Sequence, residues 1–69
     1  DPTFAELGPI EKSILLLGAH ELRSRFEIPY KVIINEGVEL AKAFGANESF
    51  KLINSVLDEL SKELRRAER

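Results

Sequence analysis

Cysteine, tryptophan and methionine are absent from the 69 residues, and histidine occurs once, at His20. Without Cys there is no disulfide, no thiolate nucleophile and no thiolate metal site. A lone His, with no carboxylates clustered at ligand spacing, offers no metal centre and reads as a packing or surface residue. Ser13, Ser24, Ser49, Ser55 and Ser61 lack any nearby base-and-orienter pattern. No glycine-rich phosphate loop is present, because Gly45 followed by Ala46-Asn47 is helix punctuation. The chain is therefore expected to be no enzyme and to need no cofactor. Long hydrophobic runs are missing as well. The longest, Ile14 to Leu17, is far too short to span a bilayer, so no membrane partner is expected. No signal peptide is visible, which makes a reduced, cytoplasmic compartment the expectation. A basic excess is also lacking: twelve acidic residues stand against ten basic ones, for a net charge of −2. The whole chain makes no broad nucleic-acid footprint.

What is present is 43% apolar and 32% charged residues, a balance that suits a folded amphipathic bundle better than disorder. Such a length is one domain or part of one, marginal unless a partner supports it. The chain opens at Asp1 rather than Met and is read as the tail part of a longer protein. Its punctuation predicts three helices. The first runs from about Pro9 to about Arg25, with Gly8 as its cap and Pro at the first helical position, where a missing N–H costs nothing. The second starts near Pro29 and stops at Gly45, expected to close it in the left-handed conformation. The third starts at Asn47, a capping side chain, with Glu48 near the positive end of the helix dipole, and continues to about Ala67. Asp1-Pro2 opens a short helical turn that Gly8-Pro9 ends. No two-residue alternation occurs, so strands are not expected. The fold class is all-α, an antiparallel bundle of three main helices with short connections.

Steps of about 100° per residue test each helix for a face. In the third, Phe50, Ile53, Leu57, Leu60 and Leu64 form one stripe, edged by Leu52 and Val56. In the second, Tyr30, Ile33, Ile34, Gly37, Val38, Leu40, Ala41 and Phe44 face one way. Lys31, Asn35, Glu36, Glu39 and Lys42 face the other, with Val32 among them, as a partner-docking face would have it. The first helix is apolar nearly all round: Ile10, Ile14 and Leu17 point one way, Leu15, Gly18, Ala19 and Leu22 another, Leu16 a third. Two partner helices cannot cover all of that, so leftover surface is expected to meet another copy or a missing segment. Gly18 and Gly37, each costing about 1 kcal/mol against Ala inside a helix, read as a tight crossing of the first two helices or as a groove for another backbone. Asn35 and Asn54 sit at stripe edges, where a hydrogen bond to a neighbouring loop or helix end is the usual role. The tail "KELRRAER" brings Lys62, Arg65, Arg66 and Arg69 together, either as solvated cations at the negative end of a helix or as phosphate ligands. The junction before the third helix resembles a helix-turn-helix, but a recognition helix leading with Glu48 argues against major-groove reading.

The order of residues then becomes specific. "GPIEKSILLLGAHEL", followed by "IPYKVIINEGVELAKAFGANESFKLINSVLDEL", resembles the carboxy-terminal part of the NusB family of bacterial transcription antitermination factors, over about Leu7 to Leu64. NusB-like domains also open bacterial ribosomal-RNA cytosine methyltransferases, but Tyr-Lys-Val after Pro29 and the Phe-Gly helix stop look closer to the free-standing factors. The resemblance implies two packed helical halves, of which residues 1–69 are the second. It implies pairing with the ribosomal protein called NusE, joint binding of boxA RNA, and action on an RNA polymerase antitermination complex that reads through terminators, notably on ribosomal-RNA operons. The family's arginine-rich amino-terminal segment lies outside this sequence, so RNA binding by this chain alone is expected to be weak. By the resemblance, Glu11 in "PIEKS" matches an acidic position on the surface that meets the ribosomal protein. Glu48 matches an acidic position that touches boxA, beside Lys51. Leu52 falls where other members carry a Phe that stacks on a base, and Leu has no π-face to offer. Two alternatives remain: the RNA-docking domain of a ribosomal-RNA methyltransferase, or a structural fragment that self-associates through the uncovered face of its first helix.

Overall fold

A computed structural model describes residues 7–45 and 48–69 of the chain. Three helices form, α1 over Pro9–Ser24, α2 over Tyr30–Phe44 and α3 over Ser49–Leu64, and the described residues contain no strand. Gly8 occupies the N-cap of α1 with Pro9 at the first helical position, as expected, whereas Pro29, expected at the first helical position of α2, stands one residue earlier at its N-cap. The expected cap at Asn47 and the turn opened by Asp1-Pro2 lie outside the described residues. Glu48 stands at the N-cap position of α3 and makes no side-chain capping bond.

Two expectations are corrected. Gly45 closes α2 with φ −86° and ψ 174°, an extended conformation. Its need for glycine is steric: an added Cβ would lie 2.7 Å from the Ala41 carbonyl oxygen and 2.8 Å from Ser49 Oγ. The last helix ends at Leu64, and a single 3-10 turn over Arg66–Glu68 follows. Arg65 takes φ −124° there, because its side chain is drawn back into the molecule.

The ends of the helices give the topology. Ser49, at the start of α3, lies beside Glu11 at the start of α1, and Arg65 after α3 reaches the carbonyls at the end of α1. α1 and α3 therefore run parallel, with α2 antiparallel to both. Leu22, Ile33, Ile53 and Leu57 are fully buried between them, joined by Ile14, Leu15, Ile34 and Ala41. Leu57 is the wedge. A Cβ on Gly18 would meet its Cδ2 at 2.8 Å, and one on Gly37 its Cδ1 at 2.9 Å. The glycines thus form two notches for one side chain of α3, rather than a bare approach of α1 to α2. Buried surface of this kind stabilises by about 25 cal/mol per Å², and the notches let three helices share it around one Leu.

Candidate partner and nucleic-acid surface

Helical spacing placed more apolar residues toward the core than the core covers. Ile10, Leu17, Leu40 and Phe44 are 49%, 50%, 37% and 65% exposed. Leu17 and Leu40 line one shallow groove between α1 and α2, floored by Gly18 and Gly37 and rimmed by Glu21 and Glu36. Ile10 lies two turns before Leu17 and Phe44 one turn after Leu40, so each extends its helix's side of the groove. Because α1 and α2 are antiparallel, the two extensions run toward the same end. The result is an apolar strip with Glu21 and Glu36 at its opposite end.

Leu16 points elsewhere. Among the described residues it is the most exposed large apolar side chain, and it lines a separate hollow with Ala19, His20, Arg23 and Leu64. α1 therefore keeps uncovered surface on two sides, as its sequence predicts, while Leu15 and Leu22 are spent on the internal core. Val32 is 43% exposed on the outer side of α2. Isolated exposed apolar residues are ordinary, whereas contiguous ones mark contact surfaces.

The residues matched to RNA contacts come together at the first turn of α3. Glu48 and Lys51 are exposed and paired, with Lys51 Nζ 3.1 Å from Glu48 Oε1. Leu52 is half-buried beside them. Phe50 is turned away from that corner, with Lys42 Nζ 5.2 Å from its ring centroid. An exposed pair of this type contributes little to stability, so both side chains are free to exchange partners.

Glu11 behaves differently from its expected place on an outer surface. It is buried, 5% exposed, and its Oε2 lies 3.5 Å from the buried Ser49 Oγ. The Arg-rich tail divides in the same way. Arg65 is 2% exposed, and its guanidinium donates to the carbonyls of Glu21, Leu22, Arg25 and Ile28 and to the Glu68 carboxylate. The Arg69 guanidinium stacks on the Tyr30 ring and donates to Asp58 and Ser61. Arg66 is exposed. Of the arginines expected to share one cationic patch, one is a structural core group, which weakens the phosphate-binding reading of the tail. Sequence order alone could not single out Arg65, because its partners come from the other end of the chain.

The described residues contain no group of three His, Cys, Asp or Glu side chains able to hold a metal ion. Among them, no helix is long and apolar enough to cross a membrane. The groove between α2 and α3, about 450 Å³, is lined by Tyr30, Asn35, Asn54, Asp58 and Arg69 among others. Asn35 and Asn54 are exposed there.

Residues 1–62 match the model of the NusB family. The chain is similar to three curated proteins, each named a transcription antitermination protein NusB. It is 57% identical over 68 residues to the one from Alcanivorax borkumensis, covering 99% of this chain and 45% of that protein. The Marinobacter nauticus protein is 53% identical over 68 residues, covering 99% of this chain and 43% of the relative. The Nitrosospira multiformis protein is 57% identical over 68 residues, again covering 99% and 43%. The chain thus spans less than half the length of these relatives. No solved structure matches it significantly.

Proposed function

The chain belongs to the NusB family, and from that premise we propose that it is the carboxy-terminal half of a cytoplasmic transcription antitermination factor and supplies mainly the protein-partner surface. The partner is the ribosomal protein NusE, and the joint ligand is boxA RNA. The complex acts on RNA polymerase to favour read-through, notably on ribosomal-RNA operons. No catalytic step belongs to it.

The observation that carries this reading is the apolar strip of Ile10, Leu17, Leu40 and Phe44 with Glu21 and Glu36 at one end. Exposed apolar surface on neighbouring helices is retained when something covers it, and the two carboxylates at one end favour a basic partner over an acidic one. Val32 and the outer charges of α2 are a secondary contact. The hollow at Leu16 and Leu64, on another side of α1, packs against the other half of the family domain.

The RNA contribution of this half is small. Affinity for RNA rests on phosphate neutralisation, and the corner at Glu48, Lys51 and Leu52 carries one cation, already paired. Isothermal titration of NusE into the chain tests the reading. Leu40→Glu and Leu17→Glu place a charge in the strip and are expected to weaken binding by about tenfold or more, as burying an unpaired carboxylate does. Val32→Ala is expected to change it by about threefold or less. Unchanged affinity with Leu40→Glu and Leu17→Glu would contradict the assignment of the strip.

A further inference from the structure

We propose that Glu11 is a positioning residue: its buried carboxylate holds the first turn of α3 in place, and with it the RNA-facing corner of Glu48, Lys51 and Leu52. The proposal rests on the functional reading above for what the corner does. The latch itself rests on geometry alone.

A carboxylate at 5% exposure offers almost no surface to a partner. Burial of such a group is tolerated only where polar neighbours meet it, and the neighbours here are informative. A Cβ on Gly8 would lie 2.9 Å from Glu11 Oε1, and a Cβ on Gly45 would lie 3.0 Å from Glu11 Oε2. The two oxygens thus occupy the spaces left by two glycines, one just before α1 and one just after α2. Ser49 Oγ, on the first residue of α3 and only 3% exposed, lies 3.5 Å from Oε2. One carboxylate therefore touches the start of α1, the end of α2 and the start of α3.

The start of α3 has use for such a group. Glu48 makes no side-chain capping bond, although the first N–H groups of any helix need acceptors and favour a nearby anion. Glu11, from another helix, brings a carboxylate near that end, 3.5 Å from Ser49 Oγ. Ser49 directly follows Glu48 and precedes Lys51 by two residues and Leu52 by three. Whatever fixes Ser49 relative to α1 fixes the direction in which these side chains leave the helix. Ile10, the residue before Glu11, lies on the apolar strip. A loss of partner binding on changing Glu11 is then an indirect effect, passed through its neighbours.

The test uses Glu11→Gln, Glu11→Ala, Ser49→Ala and the Glu11→Ala/Ser49→Ala double variant of the chain, with two readouts. The first is amide hydrogen exchange by NMR on the free protein, in which the amides of α1 and α2 report global stability. Glu11→Ala is expected to speed exchange at residues 49–52 severalfold more than at the α1 and α2 amides. Glu11→Gln should restore part of that protection. The second readout is fluorescence anisotropy with labelled boxA RNA in the presence of NusE. Glu11→Ala and Ser49→Ala are each expected to weaken RNA binding severalfold, and the double variant no more than the worse single one, as two members of one unit behave. Unchanged exchange at residues 49–52 in Glu11→Ala, with Ser49→Ala silent in both readouts, would overturn the proposal. If the unmodified chain with NusE bound no RNA, the reading of the corner would fall, and the exchange readout would still decide the role of Glu11.

Discussion

Replacing Arg65 by Ala should remove most of the stability of the molecule. The last four carbonyls of a helix have no partner within it, and at the end of α1 part of this shortfall is met by Arg65, which follows α3. Arg65 Nε donates to the Leu22 carbonyl at 2.7 Å, Nη2 to those of Glu21 and Arg25 at 3.1 and 2.8 Å, and Nη1 to that of Ile28 at 2.9 Å. Nη1 also reaches Glu68 Oε1 at 2.6 Å, so all five donors of the guanidinium are used. The Phe26 ring covers it, 4.8 Å from Cζ to the centroid. A hydrogen bond to a charged group is worth about 1.5–3 kcal/mol, but five such values do not add, because water enters when the side chain is removed. Truncation instead strands carbonyls at about 1–3 kcal/mol each, and with water entering, a total of about 3–5 kcal/mol is the better guide. A chain of this size is stable by only about 3–10 kcal/mol. With a urea dependence of about 1 kcal/mol per molar, the unfolding midpoint by far-ultraviolet circular dichroism should fall by about 3 M or vanish. Arg65→Lys keeps the charge without the fork and should cost about 2 kcal/mol. Arg66→Ala, the exposed neighbour, should cost less than about 0.5 kcal/mol. A midpoint for Arg65→Ala within about 0.5 M of the unmodified chain would mean that this network does not hold the bundle together.

Three further outcomes are expected. Gly18→Ala pushes a methyl against the fully buried Leu57; overpacking should outweigh the gain of about 1 kcal/mol in helix propensity and leave a net loss of about 1 kcal/mol, and an increase in the urea midpoint would contradict the wedge. Glu68 accepts from the Tyr30 N–H and from Arg65, which hold its carboxyl below the ordinary 4.5. Because the folded value is the depressed one, its contribution is present above pH 4.5 and disappears as pH falls through the folded value. The difference in midpoint between the unmodified chain and Glu68→Gln should therefore close on acidification, and a difference constant with pH would be evidence against the pairing. Leu16, uncovered beside Leu64, should make the isolated chain self-associate in sedimentation velocity, with Leu16→Glu abolishing it; a strictly monomeric species at high concentration would exclude this.

Local chemistry made the helices legible: Pro9, Pro29 and Gly45 each mark a boundary through a property of the residue itself. The stripe of α3 was legible too, since Ile53 and Leu57 follow from spacing alone. Gly45 shows the limit. Its position as a helix stop could be read, but its extended backbone depends on Ala41, Ser49 and Glu11 crowding the place of a Cβ. Arg65 and Glu11 were the least legible. A charged residue reads as solvated unless one knows which distant backbone groups lack partners, and those groups belong to elements far away in sequence. Leu40 and Phe44 sat on the predicted inner face of α2, yet α1 is too narrow to cover them. That shortfall creates the apolar strip, which no periodicity argument on one helix can show.

If this half of the molecule contributes a protein-binding surface and only a weak RNA contact that the partner completes, RNA affinity must depend on both proteins together. Anisotropy of labelled boxA RNA measures this most directly, titrated with the chain alone, with NusE alone and with both, at two salt concentrations. The chain alone should bind weakly and in a salt-sensitive way, as expected for one paired Lys and a few Arg. Both proteins together should bind more tightly than either, with a further modest gain for Leu52→Phe, which restores a stacking face worth about 1–3 kcal/mol at most. Tight, sequence-selective, salt-resistant binding by the unmodified chain alone, with no gain on adding NusE, would contradict this division of roles.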